Sequence, residues 1–69
     1  MIEKIDSYSN YELAEMIDQY VRGERARAML KRRLIDRVRF ERLAEEFDVS
    51  TRHCKNIVYK AQEQLFKHL

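Results

Sequence analysis

Apolar residues recur along this chain at three- and four-residue steps, in runs separated by short polar breaks. In "SNYELAEMIDQYV", Leu13, Ile17, Tyr20 and Val21 share one helical face, with Met16 beside them. Ser9, followed three residues later by Glu12, is a capping-box signature: each side chain can bond the other's backbone amide. This predicts a helix over residues 10–21, with Glu12, Glu15 and Asp18 toward solvent. Gly23, the only glycine, comes next and predicts a corner. "ERARAMLKRRLID" then repeats apolar residues at Ala26, Met29, Leu30 and Leu34, predicting a helix over residues 24–36 with most arginines outward. After a short "RVR" link, Phe40, Leu43, Ala44 and Phe47 predict a third helix over residues 40–47.

"DVS" interrupts the pattern. Asp48 is one of the few types besides glycine that tolerates the left-handed conformation ending a helix. Val49 is placed to plug the corner from inside, and Ser50 is a good N-cap. A fourth helix is expected from Thr51 toward Leu69, with Cys54, Ile57, Val58, Ala61 and Leu65 as its inward stripe. Arg52, Lys55, Asn56, Tyr59 and Lys60 face mostly elsewhere. The pattern as a whole predicts an all-α, four-helix domain with a C-terminal helix-turn-helix, one domain over residues 1–69.

Composition agrees with helix. There is no proline, and 38% of residues are charged and 45% apolar. Apolar content at that level is too high for a disordered tail. A chain of 69 residues buries a limited core and leaves no room for a walled enzyme cleft. No apolar run is long enough to span a bilayer. The start "MIEKIDSYS" lacks the blocks of a signal peptide, and the single cysteine forms no internal disulfide. The expected location is therefore cytoplasmic, with no membrane partner.

Charge changes the picture more. Net charge is only +2, but it is spread unevenly. Residues 1–21 carry one basic and five acidic side chains, residues 22–42 nine basic and three acidic, and residues 43–69 four of each. A basic block of this kind is either a solvated helix face with ion pairs or a belt that meets phosphate. The candidates for phosphate contact are Arg32, Arg33, Arg37 and Arg39.

Two helices joined by a corner of three or four residues form a helix-turn-helix unit, whose second helix can enter the major groove of DNA. The chemistry of "STRHCKN" suits that task. Arg52 and Lys55 can donate to guanine N7 and O6, and Asn56 can pair with adenine N6 and N7. Ser50, Thr51 and His53 can contact phosphate or bases, and Tyr59 and Lys60 lie one turn further on. No carboxylate falls between Val49 and Gln62 to repel phosphate.

The stretch "FERLAEEFDVSTRHCKNIVYKAQEQL" resembles region four, the DNA-binding end of bacterial sigma factors. The matching residues are Phe40, Glu41, Leu43, Ala44, Val49, Ser50, Lys55, Tyr59, Lys60, Ala61 and Leu65. "ERARAMLKRRLID" is similar to the helix preceding that unit, so the resemblance runs from Glu24 to Leu65. It implies that Thr51, Arg52, Lys55 and Asn56 read a promoter element. The chain departs from the pattern at four places. Asp48 and Arg37 stand where the family has glycine, Arg39 stands where the third helix is usually capped by Thr or Ser, and Cys54 replaces a larger aliphatic. The core-polymerase-gripping region of full sigma factors is not in the sequence. The resemblance thus implies a stand-alone regulator of mobile-element or phage type, with an acidic helix over residues 1–22 added to a region-four-like part over residues 23–69.

The expected function is sequence-specific binding of double-stranded DNA in transcription, without a cofactor. The alternative is a protein-interaction module that docks on RNA polymerase or another transcription protein without reading DNA. One such module buries little surface, so a homodimer or a polymerase partner would add affinity. The acidic helix is expected either to close the core or to mediate self-association. No residues nominate an enzyme. Cys54 reads as a small core hydrophobe, and His53 beside it points away. His53, His68 and one cysteine lack the count and spacing of a metal site. Glu45 and Glu46 read as surface charge.

Overall fold

The first helix starts where the capping box places it. In a computed structural model, which describes residues 7–68, Ser9 Oγ accepts from the Glu12 amide at 3.1 Å, and Glu12 Oε1 accepts from the Ser9 amide at 2.9 Å. Two amides that a helix start leaves unpaired are thereby satisfied. Hydrogen bonds to its carboxylate, chiefly from the Ser9 amide and then from the Ser9 side chain, hold the Glu12 carboxyl below its ordinary pKa. The helix, α1, spans Asn10–Tyr20 and buries Leu13 and Ile17. Val21 closes it in an extended conformation, one residue earlier than the periodicity predicts.

Gly23 has φ 89° and serves as N-cap of the second helix. A Cβ there would meet nothing within 4 Å, so it is the backbone angle that favours glycine, not the space. Arg27 Nε ties the corner by donating to the Val21 carbonyl at 2.6 Å. The second helix, α2, spans Glu24–Leu34 and buries Met29 and Leu30. It stops two residues short of the expected Asp36. Ile35 still donates to Lys31 at 2.9 Å, but the chain then turns through Arg37 at φ 58°.

The third helix, α3, spans Phe40–Glu46, with Arg39 at the N-cap making no side-chain capping bond. Its C-terminal end is a Schellman turn. The Val49 amide reaches the Ala44 carbonyl at 3.0 Å and the Asp48 amide reaches the Glu45 carbonyl at 3.3 Å. Asp48, at φ 55°, is the left-handed residue this turn needs, and Val49 packs against the core as expected. Ser50 then accepts from the His53 amide at 3.0 Å and caps the fourth helix, α4, Thr51–Phe66. The helix ends at Phe66, short of the expected run toward Leu69; Leu69 itself and residues 1–6 of the acidic segment lie outside those described.

The protein is all-α: these four helices and no strand are found among the described residues. Its core joins Ile17 and Val21 to Met29, Leu30, Leu43, Ala44, Cys54, Val58, Ala61 and Leu65. The Val, Leu, Ile and Met side chains buried there are each worth about 1.5–3 kcal/mol. Between the two roles open for the acidic helix, the packing favours core closure, since Ile17 and Val21 have no exposed surface. Three further contacts add to it. Lys31 meets Asp18 at 2.7 Å, the Arg22 amide donates to Gln64 Oε1 at 3.0 Å, and the Tyr20 and His68 rings stack at 3.9 Å. No helix is long and apolar enough to cross a membrane among the described residues.

Candidate functional site

What fixes the outward face of α4 is its inward one. Cys54, Val58, Ala61 and Leu65 occur at three- and four-residue steps and are all buried, which locks the rotation of the helix. Desolvation accordingly pushes the Cys54 thiol above its ordinary pKa, as suits a core side chain rather than a nucleophile. With 100° per residue, the opposite face then belongs to Arg52, Asn56, Tyr59 and the exposed Glu63, with Lys60 to one side.

The structure leaves Ser50, Arg52, His53, Lys55, Asn56 and Lys60 exposed, Tyr59 52% exposed and Thr51 half-buried. All eight lie on α4 or its cap. Arg52, Asn56 and Tyr59 form a strip down the middle of the exposed face, with Lys60 toward its far side. Lys55 lies on the flank nearest α3, its Nζ 5.8 Å from the centre of the Phe40 ring. His53 lies on the other flank. The first turn of α4 carries no acidic residue, so the partial positive charge of the helix start is not offset by a local carboxylate. At about 24 Å long, α4 presents cationic and amide groups over its first two turns, on a rod narrow enough for a groove about 12 Å wide.

The arginine belt divides. Arg32 and Arg33 are engaged within the fold. Arg32 Nε donates to Glu46 Oε1 and Nη1 to Asp36 Oδ2, each at 3.0 Å, and Nη2 bonds the other Glu46 oxygen. These bonds raise the Arg32 pKa and hold the Glu46 carboxyl below its ordinary value. A phosphate reaching Arg32 would meet a guanidinium already shared by two carboxylates. Arg33 donates to the Val38 carbonyl at 3.0 Å and lies 4.2 Å over the Phe40 ring. Arg37 and Arg39 are exposed on the connection into α3. Arg42 has a side chain 77% exposed and stands 3.8 Å from Glu46.

Sequence reasoning missed the use of Glu46 as the carboxylate that ties α2 to α3, reading it as surface charge. Arg32 and Asp36 are four apart, a spacing that signals a helical pair, but Glu46 is fourteen residues away from Arg32 and no local pattern joins them. Phe40 was legible as apolar. Its contacts with Arg33, Lys55 and Tyr59 were not. Among the described residues no group of three or more His, Cys, Asp or Glu side chains is placed to hold a metal ion. Compared with protein-family models, curated proteins and solved structures, the chain gives no match.

Proposed function

We infer that this chain is a sequence-specific DNA-binding regulator of transcription, similar to the promoter-reading domain of sigma factors. In this reading α3, the corner and α4 are the helix-turn-helix, and α4 enters the major groove. The observation that carries the reading is the division of α4. Cys54 and Val58 have no exposed surface, while Arg52, Lys55 and Asn56 are open to solvent on the helix's first turns. Those three types are suited to bidentate hydrogen bonding with guanine and adenine edges. The backbone adds support. Asp48 and Arg37 stand where the sigma pattern has glycine, and both are left-handed, so the chain makes the turns that the pattern requires without the residue it usually uses. Arg37, Arg39 and Lys60 are exposed cations and are assigned to phosphates, which position the protein while the bases specify.

Fluorescence anisotropy with duplexes selected from a random pool tests this. The expected result is binding whose log affinity falls linearly with log salt, in proportion to the phosphates contacted. No duplex binding even at about 50 mM salt, where such contacts are strong, overturns it. The protein-docking reading would then be the one to pursue, by capture of RNA polymerase subunits.

A further inference from the structure

Phe40 joins three parts of the molecule through one ring. From α2, Arg33 lays its guanidinium 4.2 Å over it while anchoring the Val38 carbonyl. From α4, Tyr59 meets it edge-on, at 5.6 Å between ring centres and 71° between planes. Lys55 places its ammonium 5.8 Å from the same ring centre. Phe40 is half-buried, and Lys55 and Tyr59 are exposed. The ring is thus where the packed side of the fold reaches the outward face of α4.

We propose that Phe40 is a specificity-determining positioning residue: held by Arg33, it orients Lys55 and Tyr59 for contact with DNA. This rests on the DNA-binding reading of α4. The physical need is plain. A lysine ammonium is a compact charge on a flexible four-carbon stem, so left alone it samples many directions and discriminates bases poorly. A ring within about 6 Å attracts the cation and narrows those directions. Tyr59, edge-on to the same ring, is restrained one turn along. Lys55 then meets the groove in a limited set of orientations, and less rotamer freedom is lost on binding. Arg33 serves this arrangement from behind. It never needs to touch DNA, which accounts for a belt arginine spent on a ring and a carbonyl.

The test uses the full chain as wild type, Phe40→Leu, Phe40→Tyr, Lys55→Met and the Phe40→Leu/Lys55→Met double variant. Each is measured on the selected duplex and on its single-base variants. Phe40→Leu is expected to reduce discrimination at the same base position as Lys55→Met, by about two- to five-fold, the bias that one exposed cation–π contact supplies. Phe40→Tyr, which keeps the ring, retains it. The double variant is no less selective than Lys55→Met alone. If Phe40→Leu weakens all duplexes equally, and does so in the Lys55→Met background too, the ring is only a packing element and the proposal is overturned. A readout without DNA stands beside it. The Lys55 ε-methylene protons of the wild type are expected to show an upfield ring-current shift, and protons without it overturn the contact even if Phe40→Leu fails to fold. A wild type that carries the shift but binds no duplex refutes the DNA reading, and with it the role of the contact, while leaving the contact itself standing.

Discussion

Replacing Arg37 and Asp48 by glycine and by alanine gives a sharp test of the backbone at the two ends of α3. Both residues are left-handed, at φ 58° and 55°. An L-residue in that region costs about 1–2 kcal/mol. Glycine escapes that cost but loses about 0.4–1 kcal/mol more backbone entropy on folding than alanine does. The difference favours glycine over alanine by about 0.5–1 kcal/mol at each position. Inside a helix the order is reversed, with alanine ahead by about 1 kcal/mol, so the sign alone is diagnostic. Comparing glycine with alanine, rather than with the native residue, cancels whatever each native side chain contributes. In a domain of this size 1 kcal/mol moves the melting temperature by about 4–8 °C. Arg37→Gly should therefore melt about 2–8 °C above Arg37→Ala, and Asp48→Gly above Asp48→Ala by a similar margin. Arg42, in α3 with an exposed side chain, is the control: there alanine should lead. Thermal and urea unfolding followed by far-ultraviolet circular dichroism read all six variants. Alanine equal to or above glycine at both 37 and 48 would refute the assigned turns.

Three further outcomes are expected. Asn56→Ala or Arg52→Ala should weaken binding to the selected duplex by about 1–3 kcal/mol, the worth of a bidentate base contact, with the melting temperature nearly unchanged because both side chains are exposed. Ser50→Ala, which removes the acceptor for the His53 amide, should cost about 1 kcal/mol of stability in urea unfolding. Acid should destabilise the fold in a defined direction. Glu12 and Glu46 both have folded-state pKa values lowered from 4.5, so their contribution is present above that value and is lost as pH falls through the depressed ones. Glu46→Gln should flatten its share of that fall in a pH series of melting temperatures, and an unchanged profile would argue against the Arg32 bond.

The exposed face of α4 was legible because the physics that sets it is local. Ser50 is three residues from the amide it caps, and the stripe through Cys54, Val58, Ala61 and Leu65 fixes which side turns away from the core. The left-handed turn at Asp48 was legible from residue type. The one at Arg37 was not, because arginine carries no preference for that conformation; only the family resemblance pointed to a glycine-like position.

Sequence by itself determined the four helices, the serine caps of the first and last, and the side that each buries, since capping and helical periodicity act over three or four residues. Tertiary structure decided what became of the arginines. Arg32 and Arg33 belong to the same basic block as Arg39, yet one is held by Glu46 from another helix and the other lies on Phe40. An outward arginine reads the same in sequence whether water or a distant carboxylate meets it. The difference lies in how α2 and α3 cross, which depends on core packing between residues far apart along the chain.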